Sequence, residues 1–252
     1  MTITWNLKGK TALITGGTKG IGKSITETFL SLGTSAIIVA RHKEDIDEFI
    51  DMYPESDIAG ITADISIPEG INRVIDFCNE QHQIDILVNN AGTNIRKKTK
   101  DYSDEEYNKI MNTNLRSTYE LSRGLHPLLK ASGSASIINI SSVSGITHLR
   151  TGSIYAMTKA AINQLTRNLA CEWAEDNIRV NAVVPWYIDT PLARTVLENP
   201  QYMKEVLDRT PLKRVGKPEE IAATAAFLCM SGAGFITGQC INVDGGFSVY
   251  GF

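Results

Sequence analysis

Tyr155 and Lys159 stand four residues apart. On a helix that spacing puts a phenol and an ammonium on one face, one turn from each other. A free tyrosine has a pKa of about 10. An ammonium at about 4 Å, with an effective dielectric near 20, is worth roughly 4 kcal/mol, or about three pKa units. The phenol is therefore expected near 7, where proton transfer is efficient. Ser142 lies a short loop upstream, where its hydroxyl could donate to the same substrate oxygen as charge develops there. A Tyr-x-x-x-Lys match alone carries little weight, because ordinary residue usage gives a chain of this length roughly an even chance of one.

The combination with the N-terminal end is more specific. Thr15-Gly16-Gly17-Thr18-Lys19-Gly20-Ile21-Gly22 follows a short apolar run and opens a helical pattern. Glycines there allow a tight turn, close approach of the backbone to a pyrophosphate and close packing of helix on sheet. The free N–H groups and positive dipole end of the following helix would face the phosphates. A glycine loop for a dinucleotide together with an acidified phenol is equipment for moving a hydride and a proton. The identity of the dinucleotide is read from charge. A site for NAD usually ends its second strand in a carboxylate that holds the ribose hydroxyls. Here the second apolar run ends in Ala40-Arg41, and Lys19 sits inside the glycine loop. Two cations and no acid suit a 2′-phosphate, so NADP(H) is the expected cofactor.

The elements that must position these groups are legible as an alternation. Residues 11–15, 35–40, 84–89, 136–141, 178–184 and 240–243 are apolar almost throughout, with a weaker run at 58–62. Unbroken runs of this kind suit parallel strands covered on both faces. Between them, residues 21–32, 67–81, 104–130, 154–174 and 218–228 carry helical periodicity. Alternating strands and helices predict βαβ units, hence an α/β fold with a doubly wound parallel sheet and helices on both faces. No repeat or Pro/Gly-rich linker divides the 252 residues, so residues 1–252 are expected to form a single domain. Residues 189–214, with Pro191, Pro200 and Pro211, interrupt the rhythm and read as a lid or binding loop.

Bulk properties remove several classes. A net charge of −3 gives no basic footprint, which argues against nucleic acid or an anionic membrane as partner. No apolar stretch reaches the length of a membrane span, and the N-terminus lacks the basic start and apolar centre of a signal peptide. Cys78, Cys171, Cys229 and Cys240 show no metal or redox spacing and read as reduced thiols of a cytoplasmic protein. His42, His82, His126 and His148 are dispersed, so no metal is expected.

Taken together, these residues resemble the short-chain dehydrogenase/reductase family over essentially the whole chain. The glycine loop and Tyr-x-x-x-Lys are joined in order by Asp64-Ile65, Asn89-Asn90-Ala91-Gly92, Asn114 and Asp244-Gly245-Gly246. The resemblance implies a seven-stranded Rossmann-type sheet and a catalytic set of Asn114, Ser142, Tyr155 and Lys159. Asn114 would hold a water linking Lys159 to solvent, and Lys159 would also bind the nicotinamide ribose. The cofactor groove would draw on Gly16, Thr18, Lys19, Gly20, Ile21, Gly22, Arg41, Asp64, Ile65, Asn90, Ala91, Gly92, Pro185, Ile188 and Thr190. Asp64 would meet the adenine, and Ile188 and Thr190 the carboxamide. Pro185-Trp186 stands where the family usually has Pro-Gly, and an indole there would shape the pocket wall. That pair, Cys171-Glu172-Trp173-Ala174, and the C-terminal Asp244-Gly245-Gly246-Phe247 through Gly251-Phe252 are most similar to the tropinone reductase-like branch. The family also implies a homotetramer, a dimer of dimers, with helices around 107–129 and 155–173 pairing across subunits.

For the substrate, His148, Leu149, Ile154, Trp186, Tyr187 and Leu192 suggest a pocket with a mainly apolar wall for a small or cyclic ketone. A tropinone-type substrate carries a protonated amine and would call for an acid. The loop between Ser142 and Tyr155 offers His148 and Arg150 instead, and Asp189 is the nearest acid in the other pocket segment. Specific alkaloid reduction is therefore not expected. A 3-oxoacyl-[acyl-carrier-protein] reductase is the enzymatic alternative, supported by the basic run Arg96, Lys97, Lys98 and Lys100. A non-catalytic NADP-binding redox sensor is the alternative from another class, and it would not need Ser142, Tyr155 and Lys159 together.

Overall fold

Seven parallel strands form one sheet in the order β3-β2-β1-β4-β5-β6-β7 in the computed structural model, which describes residues 3–81 and 83–251. Met1, Thr2, His82 and Phe252 lie outside the described residues. The strands are β1 Thr11–Thr15, β2 Ser35–Ala40, β3 Ile58–Thr62, β4 Ile86–Asn89, β5 Ala135–Ile140, β6 Ile178–Pro185 and β7 Cys240–Val243. The helices are α1 Gly20–Ser31, α2 Lys43–Asp51, α3 Pro68–Gln81, α4 Asp104–Met111, α5 Ser117–Ala131, α6 Ser153–Glu172, α7 Pro191–Leu197, α8 Pro200–Asp208 and α9 Pro218–Cys229.

The apolar strand runs are explained by what covers them. Successive side chains point to opposite faces of a sheet. Leu13, Leu87, Ile137 and Val180 pack with Val74 of α3, Leu121 and Leu125 of α5, and Leu169 of α6. Ile14, Val88, Ile138 and Val183 point the other way, onto Ile25 and Phe29 of α1 and Ile221 and Ala225 of α9. Helices cover both faces, so the central strands are mainly apolar, and the polar exceptions Asn89, Asn139 and Asn181 are buried and hydrogen-bonded. The strand order reverses at β1, which pairs with both β2 and β4. Beyond the carboxyl ends of β1 and β4 a crevice must open, and ligands of such sheets bind there.

Two expectations about elements are corrected. The segment 104–130 is not one continuous helix. α4 and α5 are separated by a π-helical turn, Asn112–Arg116, in which the N–H of Ser117 reaches the carbonyl of Asn112. The wider turn is stabilised locally: Ser117 Oγ donates to Thr113 O at 2.7 Å and Thr118 Oγ1 donates to Asn114 O at 2.8 Å. Residues 189–214 are not a plain loop but hold two short helices. Thr190 caps α7 through Ala193 N and Asn199 caps α8 through Tyr202 N, each followed by a proline at the first helical position. Two of the three prolines that read as breaks, Pro191 and Pro200, are helix starts, and Pro211 lies in the turn after α8.

The opposite end of the sheet is tied by Asp85, which is buried. Its carboxylate accepts from Lys10 Nζ at 3.0 Å, Thr11 N at 2.9 Å, Gln83 Nε2 at 2.9 Å and Ser132 Oγ at 2.5 Å. Burial works to raise its pKa, but the donated hydrogen bonds outweigh it and hold the group below the usual carboxylate range. Asp85→Ala is expected to lower stability by about 3 kcal/mol, since it strands a buried backbone N–H and a cation. A depressed carboxylate stabilises the fold above its unfolded pKa and loses that contribution as pH falls through the folded value. The difference in thermal midpoint between wild type and variant should therefore be full at neutral pH and shrink below about pH 4. A difference that persists undiminished at pH 3 would refute the ionic origin.

Candidate active site

The crevice is a cavity of about 1130 Å³. That exceeds the usual volume for one small ligand and leaves room for a dinucleotide with a substrate beside it. It runs from Arg41 and Asp64 at one end, past the glycine loop, to Tyr155, Trp186 and Tyr202 at the other.

The loop after β1 is fastened to β4 by side chains. Asn90 Nδ2 donates to Thr15 O at 2.8 Å, while the N–H groups of Asn90 and Ala91 both donate to Thr15 Oγ1 at 3.0 Å. Thr15, which the glycine motif includes without a role of its own, is thus the clasp between the two halves of the crevice. α1 begins behind Lys19 with no side-chain cap. Its first N–H groups are thus left for an anionic ligand. Gly22 does not reach the cavity wall. A Cβ there would lie 2.0 Å from Gly16 O and 2.4 Å from Asn90 Nδ2, so its role is close packing of α1 under the loop. Gly16, Thr18, Lys19, Gly20, Ile21, Arg41, Asp64, Ile65, Asn90, Ala91, Gly92, Pro185, Ile188 and Thr190 all line the cavity. An uncapped helix start, a glycine turn and the guanidinium of Arg41 on one wall fit a dinucleotide.

The charge reading at the far end needs correction. Lys19 Nζ is ion-paired with Asp45 Oδ2 at 2.6 Å, and Asp45 also lines the cavity. That acid comes from α2, beyond the end of β2 where a ribose-binding carboxylate would stand. Arg41 remains, close enough to Asp64 for its charge to be felt there. Burial alone would raise the Asp64 carboxyl, but hydrogen bonds from Ser66 with the charges of Arg41 and Lys109 hold it below the usual range.

At the other end, α6 presents Tyr155 and Lys159 on one face, and Ser142 reaches them from the loop after β5. That loop can lie against α6 because of Gly145, where a Cβ would meet Lys159 C at 2.6 Å. Ser142 Oγ accepts from Ser144 N at 3.2 Å and lies close enough to the Tyr155 hydroxyl to favour its ionised form. Lys159 is buried, with Nζ 2.7 Å from Ile140 O and 5.5 Å from the centroid of the Tyr155 ring. The expected phenol near 7 does not follow from this geometry. Burial pushes the Tyr155 phenol up, only partly offset by Ser142 and the charge of Arg96. Burial lowers Lys159 instead, to about 8. The group poised near neutrality is the amine, because desolvation acts on both groups and the ammonium lies over the ring.

Asn114 sits in the π turn, fully buried and off the cavity wall. Its Oδ1 accepts from Thr93 N at 2.8 Å, and its Nδ2 donates to Thr93 O at 2.9 Å and Thr158 Oγ1 at 3.2 Å. It fixes the segment after Gly92 against α6. Thr190, expected at a carboxamide, uses its Oγ1 to cap α7 while also lining the cavity.

His148, Leu149, Trp186, Tyr187 and Leu192 line the substrate half. Ile154 does not. It is buried beside Tyr155, and successive helical residues point about 100° apart, so one faces the cavity and the other the interior. Trp186 stacks on Phe247 at 3.8 Å, and its Nε1 donates to Thr210 Oγ1 at 3.1 Å. Its φ is not positive, so no glycine is required there. Tyr187 and Tyr202 share a hydroxyl hydrogen bond of 2.6 Å. Asp189 turns to Arg194 at 2.7 Å and is not on the wall. Tyr202, Glu205, Arg209 and Phe247 join the wall from α8 and the C-terminal segment. Only folding could reveal Tyr202, Glu205 and Arg209, which stand far from the motifs in sequence, whereas Phe247 ends the C-terminal motif. The basic run after Gly92 is dispersed: Arg96 faces the cavity, whereas Lys97 pairs with Glu106 at 2.6 Å.

Residues 16–248 match the family model described as enoyl-(acyl carrier protein) reductase. A tropinone reductase homologue of Arabidopsis thaliana is 50% identical over 252 residues, covering 98% of this chain and 96% of that protein. Senescence-associated protein 13 of the same plant is 45% identical, covering 98% and 93%. Among solved structures, RhlG of Pseudomonas aeruginosa in an active-site complex with NADP superposes with a TM-score of 0.92 at 34% identity, covering 98% and 99%. A gluconate 5-dehydrogenase from Burkholderia cenocepacia, in complex with NADP and tartrate, does so at 0.93 and 29% identity, covering 97% of each chain. With a seven-stranded doubly wound sheet, Ser142, Tyr155 and Lys159 gathered at its crevice, and relatives of this closeness over nearly full length, the chain belongs to the short-chain dehydrogenase/reductase family, as an oxidoreductase of the tropinone reductase-like branch.

Proposed function

We propose that the protein is an NADPH-dependent reductase of a small or cyclic ketone, reversible as an alcohol dehydrogenase. The observation that carries this reading is the convergence of Ser142, Tyr155 and Lys159 on the wall of the cavity that the glycine loop opens. NADP(H), when bound, supplies or accepts the hydride. Tyr155 gives its hydroxyl proton to the carbonyl oxygen, and Ser142 donates a hydrogen bond to that oxygen. Lys159, charged below about pH 8, stabilises the phenolate as it forms. Asn114 positions the segment that faces Lys159, and the family's water-linked proton path would start there. Trp186, Phe247 and Leu149 exclude water from one side of the reacting centre. A homotetramer and a cytoplasmic location are part of the same proposal and rest on family likeness and composition.

NADPH absorbance followed with a panel of ring and chain ketones tests the reading. Turnover of at least one ketone is expected. Tight cofactor binding with no turnover of any would favour the redox-sensor alternative.

Arg41→Asp is expected to weaken NADPH by about 10- to 100-fold, the worth of a charge-assisted hydrogen bond, and to spare NADH. Titration of intrinsic fluorescence with each cofactor measures it, and equal affinities before and after would refute the role of Arg41. The pH profile offers a further check. Because the ammonium is needed charged, kcat/KM for reduction should be level near neutrality and fall above about pH 8. An alkaline limb absent up to pH 10 would exclude Lys159 as the titrating group.

A further inference from the structure

The substrate half of the cavity carries an unbalanced charge. Three guanidinium groups line it, those of Arg96, Arg150 and Arg209, against a single carboxylate, Glu205. Glu205 is already engaged by Arg150 in an ion pair. Arg209 lies over the rings of Phe247 and Tyr250, 5.8 Å from each centroid. Arg96 is different. It is half-buried, and among the described residues its guanidinium has one polar contact, Thr195 Oγ1 at 3.5 Å, and no carboxylate partner. Its charge reaches both Tyr155 and Tyr187, so it lies near the reacting end of the cavity. The other acids on the wall, Asp45 and Asp64, belong to the far end beside Lys19 and Arg41.

A guanidinium on a cavity wall with no carboxylate partner keeps its N–H donors available for a ligand. A planar fork of N–H donors matches a carboxylate in particular. We propose that the ketone reduced at this site bears a carboxylate, and that Arg96 holds it while Tyr155 addresses the carbonyl. The proposal rests on the reductase reading above and adds the substrate class. It also explains the site's poor fit to a protonated amine, which would face cations with no free acid.

Three ring ketones of similar size separate the possibilities: 4-oxocyclohexanecarboxylate, its methyl ester and N-methyl-4-piperidone, an anion, a neutral molecule and a cation at pH 7. Wild-type kcat/KM should rank the carboxylate above the ester by about 10-fold, one charge-assisted bond, with the amine lowest. In Arg96→Met the ratio of carboxylate to ester should fall by about 10- to 100-fold, and Arg96→Lys should restore part of it. NADPH affinity, read by fluorescence, should not follow that ratio. An ester turned over as well as the carboxylate by the wild type would overturn the proposal. So would a ratio unchanged in Arg96→Met, or a loss explained by weaker NADPH. If none of the three nor any other ketone is reduced, the reductase reading itself fails and the proposal falls with it.

Discussion

Tyr155→Phe should lower kcat for ketone reduction by about 1,000-fold, within the range that a positioned acid contributes. The substitution removes one oxygen from a ring whose surroundings stay as they are. Lys159 still lies over the ring, and Ser142 still lines the cavity beside it. The reduced form of the cofactor can still be bound, so its affinity should be unaltered. What is lost is the proton that must arrive with the hydride. Residual activity should come from binding, orientation and the Ser142 hydrogen bond, and should depend less on pH. Stopped-flow measurement of NADPH oxidation with the best ketone of the panel gives the number. A variant with more than a tenth of wild-type kcat would place the proton donor elsewhere, and Ser142 would be the next candidate.

The second large effect concerns the fold of the nucleotide end. Gly22→Ala should destabilise the protein by about 3 kcal/mol, the upper part of the range for forced overpacking. The new methyl would lie 2.0 Å from the carbonyl oxygen of Gly16, which is backbone and cannot turn aside. Either α1 moves off the sheet or the loop moves off α1, and both break the clasp made by Thr15 and Asn90. NADPH affinity should fall with it. The thermal midpoint should drop by about 6–12 °C for a chain of this size. Gly92→Ala is the control: its methyl would make an ordinary contact, 3.4 Å from Asn114 Oδ1, although Gly92 also lines the cavity. Equal losses of stability in the two variants would mean that glycine at 22 is not required for packing.

These two positions show different degrees of legibility. Gly22 and Tyr155 could be named from spacing because each acts within its own turn or helix. The strand runs were equally plain, since helices cover both faces of the sheet and most strand positions are apolar. The central helix was misread as continuous because a π turn leaves the residue pattern almost unchanged. Only the hydroxyls of Ser117 and Thr118, which accompany it, hinted at the break. The helices α7 and α8 were missed because their prolines punctuate a helix start as readily as a loop.

Charge was the least legible property. Asp45 sits four residues after Arg41 in sequence, yet only the approach of α2 to the glycine loop turns it into the partner of Lys19. Arg96 reads in sequence as one member of a basic run, and only the folding of that segment beside α7 separates it from Lys97. The amino-acid sequence by itself determined the alternation of strands and helices, the glycine turn and the Ser, Tyr and Lys set, because these depend on short-range spacing. The tertiary structure alone decided which ionisable groups are buried, paired or free. Desolvation and ion pairing depend on distances between segments far apart in the chain, and they moved the titration near neutrality from Tyr155 to Lys159.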